Sequence, residues 1–117
     1  MTFRTALLAC LAACPALADA PVIRHVTAEH QGGTWRFDVT VAHPDTGWDH
    51  YADAWRILDA EGHELGLRVL AHPHETEQPF TRSLSGVAVP RSVKEVWIEP
   101  RCLRDGWGGE RYRVKLR

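Results

Sequence analysis

The chain has 117 residues, 44% of them hydrophobic and 25% charged, with a formal net charge of −1. That is enough for one hydrophobic core and too little for two domains. The near-neutral balance speaks against a nucleic-acid surface, since no basic stripe offers the phosphate neutralisation that dominates such binding, and the arginines from Arg101 to Arg117 alternate with apolar residues like the wet face of a strand.

Residues 1–18 read as an export signal. Arg4 supplies a positive start, Thr5 to Cys14 a short apolar stretch, and Ala16-Leu17-Ala18 a small-x-small cleavage word. Cleavage after Ala18 leaves 13 basic against 15 acidic residues, a net charge of −2 with histidines neutral. A second processing word overlaps the first: Leu11-Ala12-Ala13-Cys14 resembles a bacterial lipobox, which would lipidate Cys14 and anchor the protein in the envelope. The apolar stretch is too short for a permanent transmembrane helix, and no later run approaches one. Cys10 and Cys14 fall in the signal, so Cys102 is left without an internal disulfide partner. It is then a buried thiol, an intermolecular bridge or a soft metal ligand.

The remaining residues, 19–117, form one unit without repeats or linkers. Short β-branched and aromatic runs separated by Gly, Pro and Asp predict strands over 22–29, 34–42, 51–59, 64–72, 80–87, 93–99 and 111–117. In 34–42, Trp35, Phe37, Val39 and Val41 alternate with Arg36, Asp38 and Thr40, the period of a half-buried strand. Ala60-Glu61-Gly62 predicts a tight hairpin with Gly62 in the left-handed position. Pro79, Pro90 and Pro100 fall at the ends of runs. Seven short strands predict an all-β, seven-stranded antiparallel β-sandwich of immunoglobulin-like or fibronectin-III-like type. The tight hairpin favours the latter, with Trp55 as the core tryptophan.

Five of the seven histidines lie between His43 and Arg82. Strand reversal sends the loops at 43–50, 72–78 and 100–110 to one end of the sandwich and His63 to the other. A hairpin centred on Glu61 pairs positions that sum to about 122, which sets His50 across from His72 at roughly 4.5–5.5 Å between Cβ atoms. His74 and His43 would complete the group, and Cys102 arrives at the same end. Two histidines and a thiolate suit copper, while three histidines with an open position suit zinc or copper. No CxxC or HExxH spacing is present, and surface histidines also cap loops or pair with Asp49 and Glu77.

Other constellations carry less. Asp45 and Asp49 around Gly47 are acidic enough for calcium, yet β-turns use the same residues. Ser83 and Ser85 lie mid-strand, where a Ser-His-Asp nucleophile is out of place. Trp48, Tyr51 and Trp107 form a candidate aromatic contact patch, joined by Asp49 and Glu77 as candidate binding residues. Glu77 also suits an ion pair with Arg82.

The runs DTGWDHYADAW and LAHPHETEQPFTRSLSGV resemble a group of small exported proteins of Gram-negative bacteria without an assigned activity. The resemblance implies an immunoglobulin-like or fibronectin-III-like sandwich in the periplasm or envelope, and it carries over no catalytic residues. The expectation is therefore a non-catalytic exported module that binds a protein or small ligand through one loop end. The competing expectation is a copper or zinc protein built on the histidine cluster.

Overall fold

The computed structural model describes residues 20–116, and each regular element in that span is a strand. The export signal, the lipobox with Cys14, and Asp19 lie outside the described residues. Eight strands are present among the described residues: β1 (Val22–Gln31), β2 (Thr34–Ala42), β3 (Ala52–Leu58), β4 (Glu64–Val69), β5 (Phe80–Val87), β6 (Glu95–Cys102), β7 (Gly106–Trp107) and β8 (Tyr112–Lys115). They form two antiparallel sheets, one in the order β1-β2-β5 and one in the order β4-β3-β6-β7, with β8 also on β6.

The count differs from the seven expected because the last stretch is divided. β7 pairs with the end of β6 at Arg101 and Cys102, whereas β8 pairs with Glu95 to Ile98. Gly108 and Gly109 lie in the interruption between them. Pro100 does not end its strand either. It sits inside β6 opposite Trp55, and its carbonyl accepts the Gly108 N–H at 3.2 Å.

The alternation read in β2 holds: Phe37, Val39 and Val41 are buried, while Arg36, Asp38 and Thr40 stay partly wet. These three join Ser83 and Thr81 of β5 across the sheet, with Ser83 donating to Asp38 and Thr40 lying 2.7 Å from Thr81. The opposite sheet contributes Trp55, Ile57, Val96 and Ile98, all inaccessible to solvent. Trp55 packs between the sheets with Phe37 and Phe80 in the same core cluster. Its truncation to alanine would cost about 3–5 kcal/mol.

The β3–β4 hairpin turns through Asp59–His63, with Gly62 at φ 85°. The expected register holds only at the turn. Leu58 faces Glu64, but an irregularity between Ile57 and Leu58 advances the ladder so that Ile57 faces Gly66 and Ala54 faces Val69. The ladder stops there, short of both His50 and His72.

Three connections meet at the far end of the sandwich, as strand reversal requires. Leu103 N–H donates to the Tyr51 carbonyl at 2.9 Å, Leu70 N–H to Asp53 at 2.8 Å, and His43 N–H to Gln78 Oε1 at 2.9 Å. The β2–β3, β4–β5 and β6–β7 connections are thereby tied together.

Candidate functional site

Asp45 is the hub of this loop end. As the chain leaves β2, the Asp45 N–H returns to the His43 carbonyl at 2.8 Å and curls the backbone around Pro44. This places the Asp45 carboxylate inside the protein, where it takes three donors. Oδ1 accepts from His43 Nδ1 at 2.6 Å and from the Ala52 N–H at 2.9 Å, and Oδ2 accepts from the His74 N–H at 2.8 Å. One carboxylate thus joins the exit of β2, the start of β3 and the β4–β5 loop.

His50 is set by its own turn. Thr46 N–H donates to the His50 carbonyl at 3.0 Å, and His50 N–H donates to Gly47 at 3.2 Å. Gly47 adopts φ 148°, a conformation that side chains with a Cβ rarely take. The His43 and His50 rings then meet edge to face, with centroids 4.9 Å apart at 86°. Cys102 completes the group from the end of β6, opposite Ala52 in the ladder. It is a free thiol with no solvent exposure.

One ligating atom from each of His43, His50 and Cys102 lies within 4.8 Å of the others. The two histidines are only 3% and 7% exposed. The 2.6 Å contact commits the Nδ1 of His43 to Asp45 and leaves Nε2 as the ring nitrogen not used by the carboxylate. Nε2 of His43 and Nε2 of His50 are buried without a hydrogen-bond partner. Each such orphan costs about 1–3 kcal/mol. Asp53 Oδ1, Trp55 Nε1, Arg68 Nε and both ring nitrogens of His74 are likewise buried without partners, but only those of His43 and His50 sit beside a thiol in a group of potential ligands.

The other anticipated site residues are dispersed. His72 is exposed, contacts the carbonyl of Pro73 through Nδ1 at 3.0 Å, and tilts against His74. It is not opposite His50, because the shifted β3–β4 ladder ends before either residue. His74 is buried and stacks on Phe80 at 3.8 Å, on the far side of the Asp45 carboxylate. Its burial, followed by the charges of Arg82 and His72, holds its pKa below 6.5 against the opposing pull of Asp45 and Glu77. At neutral pH it is therefore an uncharged packing element.

The proposed contact patch is divided too. Trp48 is 67% exposed and meets Tyr51 edge to face at 5.9 Å. Asp49 is exposed beside Arg104, so Asp45 and Asp49 do not converge as calcium ligands would. Glu77 pairs with Arg82 at 3.0 Å, and that hydrogen bond lowers its pKa. Trp107 is covered: the Arg56 guanidinium lies 4.0 Å above its ring while also binding Glu99.

Asp45, expected as a turn residue or calcium ligand, is instead the carboxylate against the His43 ring. The His43-Pro44-Asp45 spacing at a strand exit was the available signal, since a carboxylate two residues from a histidine can turn back onto its ring. A second histidine–carboxylate group lies at the opposite end. There Asp59 accepts from the N–H groups of Glu61 and His63 at 2.9 and 2.8 Å, and lies 3.0 Å from His63 Nδ1. The His63 side chain is 76% exposed.

No protein-family model and no solved structure matches the chain. It is similar to a protein of the halophilic archaeon Halomicrobium mukohataei described as a "Putative lipoprotein", with 40% identity over 86 residues. The similarity covers 73% of this chain and 42% of the relative, so the chain spans about four-tenths of that relative's length.

Proposed function

We propose that this chain is a non-catalytic module of an exported, envelope-associated protein, and that it binds a ligand at the end of the sandwich where His43, His50 and Cys102 meet. One observation carries the binding reading: His43 and His50 each bury an imidazole nitrogen without a partner, and each brings a ligating atom within 4.8 Å of the other's and of the Cys102 sulfur. The exposed Trp48, against the half-buried Tyr51, rims the same end. The Ser83 hydroxyl is committed to Asp38 within a sheet-face network, which supports a binding role over a hydrolytic one.

Export is supported by the apolar signal over residues 5–14 and its cleavage word, and by the description of the archaeal relative as a lipoprotein. No helix of the described residues is long and apolar enough to cross a membrane. The strand order, with β4 on β3 and β3 in turn on β6, and with β1-β2-β5 opposite, supports the fibronectin-III-like arrangement over the antibody constant type.

Two measurements test this reading. Cell fractionation of the full chain should place it outside the cytoplasm. Loss of membrane association in Cys14→Ser would assign the lipid anchor, and unchanged release would assign cleavage after Ala18. Thermal unfolding of the exported domain against a panel of metal salts, amino acids and short glycans should reveal a stabilising ligand whose effect disappears in His50→Ala. A ligand at about 100 times its Kd adds roughly 2.7 kcal/mol of stability. Retention in the cytoplasm, or a panel in which no compound depends on His50, would overturn the proposal.

A further inference from the structure

The geometry points to a mononuclear copper(I) site formed by His43 Nε2, His50 Nε2 and Cys102 Sγ, with Asp45 as the positioning residue behind His43. The inference rests on the loop-end binding reading and names its ligand. The three donors come from separate parts of the chain and converge in the interior, each on a residue less than 10% exposed. Donors sharing one ion at about 2.0–2.3 Å stand roughly 3.5 Å apart. Spacings within 4.8 Å therefore close by small side-chain rotations.

The carboxylate behind His43 is what a metal-bound imidazole requires. A histidine ligand ordinarily donates its other ring N–H to a carboxylate or carbonyl, which fixes the tautomer and raises the basicity of the ligating nitrogen. Asp45 does this at 2.6 Å, and its two further backbone donors hold it in place. His43 is thereby aimed before any ligand arrives.

The donor set selects the ion. A thiolate with two imidazoles suits copper or zinc. Structural zinc takes four protein ligands, and catalytic zinc keeps an open position for water. Among the described residues this group has three members, and all three are buried, which favours a soft ion content with three donors. A cavity of about 80 Å³ bordered by Pro21, Cys102, Gly106, Trp107 and Gly109 adjoins the group. Binding converts the Cys102 thiol to a thiolate: the S–H bond breaks, a Cu–S bond forms, and one proton passes to solvent, with no change of oxidation state. The relative's description says nothing of a metal.

The test uses the metal-free exported domain, titrated anaerobically with Cu(I) against a chromogenic Cu(I) chelator. One equivalent should be withheld from the chelator. His50→Ala and Cys102→Ser should each lose at least about 100-fold in affinity, Asp45→Asn about 10–100-fold, and His72→Ala nothing. X-ray absorption of the loaded wild-type protein should show one sulfur and two nitrogens around copper, a readout independent of how the variants fold. Failure to compete with the chelator, a shell without sulfur, wild-type affinity in His50→Ala, or displacement of copper by equimolar Zn(II) would each overturn the copper assignment. If copper fails while a non-metal compound in the earlier panel still depends on His50, only the copper inference falls. If neither binds, the loop-end reading falls with it.

Discussion

The two ends of this sandwich carry similar chemistry with different consequences. At each end an aspartate accepts backbone N–H groups and sits against a histidine Nδ1: Asp59 with His63 at the hairpin, Asp45 with His43 at the loop end. At the hairpin the imidazole is mostly in water, so the pair organises a turn and leaves nothing unsatisfied. At the loop end the same pairing is buried, and it leaves a ring nitrogen of His43 without a partner beside a second orphaned imidazole and a thiol. Burial, and not residue type, separates a turn from a candidate site. Buried polar groups carry a free-energy cost unless something completes their bonding.

The largest expected effect tests that contrast directly. Asp45→Ala would strand three buried donors, on His43, Ala52 and His74, and should destabilise the domain by about 3 kcal/mol or more in urea unfolding. Asp59→Ala removes bonds that water can replace and should shift the urea midpoint much less. Equal shifts would mean that the two ends do not differ as burial implies.

Two of the six positive-φ glycines among the described residues, one at each end, come next. Gly47→Ala and Gly62→Ala both force a Cβ into strained backbone, at φ 148° and 85°, and each should cost about 1–3 kcal/mol. Their effects on the site should separate. Gly47 shapes the turn that holds His50, so its substitution should also weaken any His50-dependent ligand. Gly62 lies at the other end and should leave that ligand unaffected.

Much of this contrast was legible in the sequence. Alternation in Thr34–Ala42 located a half-buried strand, Gly62 located the hairpin, and counting strand reversals sent His43, His50 and Cys102 to one end and His63 to the other. The finer geometry was not legible, because a local irregularity leaves no pattern in residue type. The shift between Ile57 and Leu58 advanced the β3–β4 ladder by one position, and the ladder ended before it could pair His50 with His72. Pro100 read as a strand end, yet β6 continues to Cys102, which joins the group from a strand and not from a loop. Whether Asp45 or Asp49 turned inward depended on the tight turn after β2, and acidic side chains give no periodic signal for that.

Acidification should separate the ends by pH window. His74 has a lowered pKa, caused first by burial and then by Arg82 and His72, with Asp45 and Glu77 opposing. Below its ordinary value of 6.5 the unfolded chain binds this proton more readily than the folded one, so stability falls as pH drops through that range. Asp59 is shifted down as well. Its partial burial pushes the other way, but the bonds from His63 and Glu61 prevail. Its contribution is present above 3.8 and is lost only as pH falls below that value. Urea midpoints of the wild type should therefore decline between pH 7 and 5.5. His74→Phe, which keeps a ring against Phe80, should flatten that decline. An unchanged slope in the variant would remove His74 as its source.

The smallest expected effect is the most diagnostic of the comparison. His63→Ala removes a side chain that is 76% exposed, while the backbone bonds to Asp59 remain. Its stability should stay within about 0.5 kcal/mol of wild type, and the decline between pH 7 and 5.5 should persist. His43→Ala instead removes the ring that Asp45 orients, leaving one carboxylate oxygen with a single donor and a void beside His50 and Cys102. If His63→Ala proved as damaging as His43→Ala, the hairpin pair would be more than a turn, and exposure would no longer distinguish the two ends.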